Sequence, residues 1–361
     1  MSRSLCSLVS LTASLLSGAL LCLTPGPAQA EKITLKIASG HSPGWHFVQL
    51  TKEYFIPEVV KRVKAKTGDD VEFIEGWSGA MVKPTEVLEA VESGIIDIGM
   101  FCICHEGQKL ALHNFSYYLP FGPAEPVISL KATRKVYDTN PELNQIFKKY
   151  GQSVLSLVPF EPYDIVSKFA ISKAGDAKGH KIGAAGPNAF WVANVGALPV
   201  SVGGPDMYTS FQTGLIDAML IFPSVMETLK LYEVSSYLVK TSFGSMTVAS
   251  LTVNNRRMSR LPKGVADIIV QVGREMEERA GPFTENLVNK YTKTLESKGV
   301  KVVSVDVPER KAWAELLAAA PAQTAKKFEA ENKQPLRKVM KAYIAATEAL
   351  GHKWPVVYKL D

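Results

Sequence analysis

Residues 32–39, KITLKIAS, set apolar side chains at alternating positions, the period of a strand with one face buried. A loop, His41-Ser42-Pro43-Gly44-Trp45, follows. Residues 47–66 return apolar positions at helical spacing, with Lys and Glu on the other face, and Gly68 stands where that helix should stop. Residues 71–74 begin a second strand, turned by Gly76-Trp77-Ser78-Gly79. Residues 84–92 read as a short helix ending at Gly94, and 95–104, IIDIGMFCIC, as a strand covered on both faces. Strand, helix, strand, helix, strand is the order of an α/β lobe with a mostly parallel sheet. Such sheets bind ligands beyond the carboxyl ends of their strands. Here those ends are residues 41–45, 78–81 and 102–105.

The same grammar returns downstream. Residues 153–159 and 165–172 are strand-like, 180–184 a strand, 188–195 a helix and 198–202 a short strand. A helix over 206–214 and an apolar strand over 216–222 complete the unit. Glu89-x-x-x-x-Gly94-x-x-Asp97 and Phe211-Gln212-Thr213-Gly214-x-x-Asp217 repeat one pattern, so two lobes with a cleft between them are expected. Residues 247–254 form a strand returning to the first lobe, and 261–297 a helix expected to break around Gly281-Pro282. Residues 301–305 are a strand, and 308–350 are largely helical with charged outer faces. Residues 31–155 with 251–305 are expected to form the first lobe and 156–250 the second. Residues 306–361 supply helices packed across both.

The N-terminus bears on the compartment. Arg3 precedes an apolar run over 5–23, Pro25-Gly26-Pro27 breaks it, and Ala28-Gln29-Ala30 offers a signal-peptidase site. Residues 1–30 therefore read as an export signal, giving a periplasmic protein with no membrane insertion once the signal is cleaved. The net charge, +6 for the whole chain and +5 without Arg3, is spread evenly and forms no nucleic-acid footprint. Outside the signal the cysteines are Cys102 and Cys104. In an oxidising compartment they could pair, but one residue apart on a strand they point to the same side, which strains a bridge; they read as small residues at the end of a buried strand, with their pairing open. Cys102-Ile103-Cys104-His105 lacks the second ligand cluster a closed zinc site needs.

Catalytic patterns are weak. No GxSxG, HExxH or GxxxxGK[ST] occurs, and the glycines at 179, 183 and 186 miss the GxGxxG spacing. His41, His46, His105 and His113 lie near strand ends of the first lobe, where they could face the cleft. No enzyme activity, cofactor or metal is expected.

Residues 199–223 carry a specific signature. Val195-Gly196-Ala197-Leu198-Pro199-Val200, Asp206-Met207-Tyr208 and Gln212-Thr213-Gly214 through Asp217-Ala218 resemble the dicarboxylate-binding-type solute-binding proteins of tripartite ATP-independent periplasmic (TRAP) transporters. Asp176-Ala177-Lys178-Gly179-His180-Lys181-Ile182, Leu35-Lys36-Ile37-Ala38 and residues 91–99 are similar to that family as well. The resemblance implies a two-lobe periplasmic binding protein, with mostly parallel sheets, helices on both faces, and long strands and a long helix joining the lobes. It implies a small organic solute, delivered to separate membrane subunits of the importer. A sensor presenting its ligand to a receptor kinase and a periplasmic enzyme are the alternatives. Neighbouring genes for membrane subunits separate the first, and solute turnover dependent on His105 the second.

One departure stands out. Where the family usually places an arginine that clamps the solute carboxylate, this chain has Gly183. Two readings stay open. In one the solute is atypical or aromatic, Gly183 and Ala185 make room, and Phe160, Tyr163, Phe190 and Phe222 supply apolar surface. In the other a carboxylate is still held, by His41, His105, Lys83 or the backbone where Asn188 begins its helix. Trp45, Gly79, Cys102, Asp164 and Pro223 complete the expected ligand-binding set.

Overall fold

A computed structural model describes residues 32–184 and 186–360. The expected export signal at 1–30 and the site candidate Ala185 lie outside them.

Two sheets carry the fold. In the first, β1 (Lys32–Ala38) pairs in parallel with β2 (Asp70–Gly76) and β3 (Ile98–Cys102). The alternation read from β1 is real: Ile33, Leu35 and Ile37 point into the core. Between β1 and β2 run α1 (His46–Leu50), one wide turn (Thr51–Phe55) and α2 (Ile56–Thr67). Gly68 ends α2 at φ 81°, a left-handed conformation that glycine adopts without steric cost. The short α3 (Val87–Ser93) leads into β3. Registering Ala38 with Gly76 and Gly99 gathers the carboxyl ends of these strands, so 39–45, 77–81 and 102–105 share one end of the sheet.

The chain then builds a 3-10 segment (Ala111–Tyr118), α4 (Pro126–Thr139) and α5 (Pro141–Lys149), a region the sequence pattern leaves unassigned. Next β4 (Gln152–Pro162) leaves the first sheet and continues almost directly into β5 (Asp164–Ser167) of the second. That sheet adds β6 (Lys181–Ala184), the one-turn α6 (Phe190–Ala193), β7 (Leu198–Ser201), α7 (Met207–Gln212), β8 (Ala218–Ile221), α8 (Pro223–Thr228) and β9 (Tyr237–Lys240). β6, β7 and β8 run parallel, and β5 runs antiparallel to β8 and β9. β10 (Ser245–Asn254) returns to the first sheet, antiparallel to both β3 and β4 and buried throughout.

After α9 (Asn255–Met258), α10 runs unbroken from Lys263 to Ser297. The expected break at Gly281-Pro282 is therefore corrected. Pro282 removes one intrahelical donor, while a methyl on Gly281 would lie 3.0 Å from the Val127 backbone. Close approach to α4, not a break, is what this glycine permits. The helix packs against β4, α2 and α4 of one lobe and α8 of the other. β11 (Lys301–Ser304) pairs with β9 in the second sheet, although residues up to 305 were assigned to the first lobe. The chain ends in α11 (Val307–Leu317), α12 (Ala320–Asn332) and α13 (Leu336–Ala349). Trp313 Nε1 of α11 bonds the Trp191 carbonyl, and Tyr343 of α13 bonds Ser129 of α4. Among the described residues no helix is long and apolar enough to cross a membrane.

Candidate interlobe solute site

The loops at the carboxyl ends of both sheets face one another across the cleft. On the first lobe, His41 closes the loop after β1, its carbonyl accepting from Ser78 N–H at 3.0 Å and its N–H donating to Ser39 Oγ at 3.2 Å. Its ring lies edge-on to Trp45 and Phe47, each with centroids 5.1 Å away. His105 reaches it from the β3 side, with Nε2 atoms 3.3 Å apart, one nitrogen donating and the other accepting. Gly79 sits at the exposed rim in the left-handed region at φ 82°.

Cys102 and Cys104 form a disulfide, despite the strain expected of a bridge between residues one apart on a strand. The strand ends at Cys102, and Ile103–His105 turns into a single 3-10 turn. The turn lets Cys104 N–H reach Cys102 Sγ at 3.2 Å and sets the Cα atoms 5.1 Å apart, so the extended-strand argument does not apply. The bridge holds the loop that presents His105.

On the second lobe, Gly186 begins the short turn Gly186–Asn188 at φ 67°. A methyl there would come 3.8 Å from the Cys104 carbonyl, so the two rims nearly touch. Asn188 is buried and has a partner; Phe190 is half-buried, its ring 6.5 Å from that of Trp191. Gly183 is buried in β6, and its missing side chain is not open space. An ideal Cβ at 183 would stand 2.2 Å from Met219 Sδ and 3.3 Å from Ile216 Cδ1. Met219, its partner across the β6–β8 pairing, has filled the volume, so the expectation that Gly183 makes room for the solute is corrected. Gly183→Arg should therefore lower Tm and confer no dicarboxylate binding. Adding Met219→Ala should recover most of the lost stability, and unchanged thermal melting of the single variant would contradict the packing described here.

Further contacts draw the lobes together. Trp45 lies 3.9 Å from a methyl placed on Gly204 and 6.1 Å, ring to ring, from Phe222. A methyl on Gly44 would meet Thr228 Cγ2 at 3.0 Å. Phe47 and Phe160 stack at 5.6 Å, and Phe222 packs on Phe160 and Tyr163. Phe160, Tyr163 and Phe222, expected as pocket surface, thus form a buried aromatic seam across the crossing strands. Pro223 is buried beside them at the start of α8.

Tyr117, which the sequence pattern does not single out, hydrogen-bonds Tyr163 hydroxyl to hydroxyl at 2.9 Å, and its carbonyl accepts from Trp191 Nε1 at 3.0 Å. His46 and His113 do not reach the cleft. The first is buried and bonds the Pro159 carbonyl, the second is buried and bonds Tyr137. Asp164, expected at the solute, is fully buried, paired with Lys240 at 2.7 Å and accepting from Ser242 N–H. Glu161 is buried with Oε2 accepting from Ser224 N–H at 3.2 Å, and burial raises its carboxyl to about 7.

The electrostatics of the rims are simple. None of the loop residues 39–45, 77–81, 102–105, 183–190, 202–206 or 222–228 is arginine or lysine. The imidazoles of His41 and His105 are the only groups in those loops that can become cationic. Burial, aided by His105, lowers His41 to about 3, and burial lowers His105 too. At neutral pH the pair is uncharged, a hydrogen-bonding couple and not a fixed positive clamp.

The model of the family described as bacterial extracellular solute-binding protein, family 7 (DctP), matches residues 51–327. A solute-binding protein of Albidiferax ferrireducens is 23% identical over 294 residues, 80% of this chain and 84% of that one. The crystal structure of DctP7, a Bordetella pertussis extracytoplasmic solute receptor binding pyroglutamic acid, aligns with a TM-score of 0.73 at 23% identity. That alignment covers 86% of this chain and 99% of the other. A TRAP solute-binding protein from Rhodoferax ferrireducens T118, in complex with copurified benzoate, aligns with a TM-score of 0.76 at 16% identity, covering 88% and 98%.

Proposed function

The chain belongs to family 7 of the bacterial extracellular solute-binding proteins, and on that premise we propose that it is the periplasmic receptor of a TRAP-type importer for a small organic acid. It captures the acid between its lobes and delivers it to membrane subunits. The observation that carries the reading is the meeting of both sets of strand ends over the His41–His105 pair. The structural relatives described above hold pyroglutamic acid and benzoate, single carboxylates on a compact ring. A compact ring of that kind suits the half-buried Trp45 at the rim, and a single carboxylate suits loops that carry two imidazoles and no arginine.

Binding of an anion here carries a proton with it. A carboxylate beside the neutral pair favours the imidazolium, so the bound pair takes up a proton that the free pair lacks. The sign follows from the lowered values of His41 and His105. Affinity for the anion rises as pH falls from neutrality, by up to about tenfold per unit while one proton is taken up. Glu106, next to His105 in the chain and raised by burial to about 6, titrates in the same range, so a Glu106→Gln variant is the control.

Thermal melting with benzoate, pyroglutamate and succinate tests the reading. A ring monocarboxylate at roughly a hundred times its Kd should add about 2.7 kcal/mol to folded-state stability, with succinate adding least. A largest response to succinate would overturn it.

A further inference from the structure

Beside the crossing strands, outside the solute cleft, lies an open pocket of about 370 Å³. Its wall joins parts far apart in sequence: Glu125 before α4, Lys240 and Ser242 after β9, Arg310 of α11, and His352 and Lys353 of the C-terminal tail.

Arg310 is the unusual member. Arg62, Arg134, Arg257 and Arg337 each pair with a carboxylate, while Arg256, Arg260, Arg274 and Arg279 are exposed. Arg310 is half-buried and, among the described residues, forms no such pair. Its guanidinium lies 5.1 Å from the Phe121 ring, and one terminal nitrogen donates to the Ser242 carbonyl at 2.9 Å. Its Nε is buried without an acceptor. A desolvated guanidinium lacking a counter-charge is costly, and burial indeed holds Arg310 below its ordinary value.

The surrounding charges do not cancel it. Lys240 is spent on Asp164 at 2.7 Å. Lys353 is exposed on the rim, and Glu125 is the one carboxylate there. Two cations therefore oppose one anion, and the N-terminal end of the 14-residue α4 adds its partial positive charge. His352 contributes a hydrogen-bonding ring; burial, then Arg310, lower its pKa. We infer that this cavity is a second anion site, outside the solute cleft, taking a small oxyanion of the phosphate or carboxylate class between Arg310 and Lys353. The ion completes the pairing of Arg310 and ties the C-terminal tail to the segment that crosses between the lobes.

Thermal melting of the full protein in inorganic phosphate, against sodium chloride of equal ionic strength, is the test. Phosphate should raise Tm in a saturable way, and Lys353→Gln should shift the half-saturating concentration upward by about tenfold, the weight of one hydrogen bond to a charged group. Arg310→Gln should abolish the response, and if that variant does not fold, Lys353→Gln carries the test. Succinate in a parallel arm, counted only in the part that Lys353→Gln weakens and His105→Ala leaves in place, distinguishes the sources, a stronger phosphate response assigning a phosphate and a stronger succinate response a dicarboxylate. The inference is overturned if neither anion acts, if Lys353→Gln responds like the parent, or if His105→Ala removes the response and so places the ion in the cleft.

Discussion

Replacing Glu277 by alanine is expected to cost about 3–5 kcal/mol of folding stability. Glu277 lies in the middle of α10 and is nearly fully buried. One oxygen accepts from Arg134 Nε at 2.5 Å; the other accepts from a terminal nitrogen of Arg134 and from Leu157 N–H at 2.8 Å. Three elements, α10, α4 and β4, therefore share one carboxylate. Truncation removes the attraction, leaves a part-buried guanidinium with only Asp138 at 3.7 Å, and strands a buried N–H, and that loss of partners is the larger part of the effect. Glu277→Gln keeps the volume and one acceptor, so it should fall between parent and alanine in a denaturant titration. A loss under about 1 kcal/mol for Glu277→Ala would show that water reaches Arg134 freely, as at an exposed pair.

Trp191→Ala should be as damaging, at about 3–5 kcal/mol. The indole is fully buried, stacked on Phe243 at 5.1 Å and edge-on to Tyr163 at 5.5 Å. Its Nε1 donates to the Tyr117 carbonyl and its own carbonyl accepts from Trp313. Tyr117 belongs to the first lobe and Trp191 to the second, so the variant cuts a contact between lobes as well as a core. Solute affinity should fall together with stability, because the Tyr117–Trp191 contact joins the two lobes whose relative placement forms the site. Trp191→Phe separates the two, keeping most of the ring packing and losing the N–H. If Trp191→Phe binds solute as tightly as the parent while Trp191→Ala does not, packing and not the hydrogen bond sets closure.

Sequence legibility was high wherever one face of an element is buried and the other wet. The alternation of Lys32–Ala38 and the glycine ending Ile56–Thr67 are examples. It failed where polar residues face inward. Ser129 and Thr133 lie on the buried side of α4, and His113, Asn114 and Ser116 are buried in the 3-10 segment before it, so no apolar period marks the region holding Tyr117. The pair Cys102 and Cys104 misled because a strand pattern cannot announce the turn that follows. Gly183 misled for a different reason. Loss of a side chain reads as space, yet Met219 from the neighbouring strand occupies that space, a relation only the register of β6 with β8 reveals. The placement of His41, His105 and Trp45 in loops at the strand ends was legible because strand ends in a parallel sheet are fixed by chain order.

In the proposed receptor a neutral imidazole pair takes the part an arginine would play. Calorimetric titration of the best-stabilising acid, near neutral pH in two buffers of different ionisation enthalpy, tests it most directly by counting protons. Uptake approaching one proton per solute bound is expected, abolished by His105→Ala with about a 10- to 100-fold loss of affinity. Binding with no proton uptake, or uptake and affinity unchanged in His105→Ala, would contradict it.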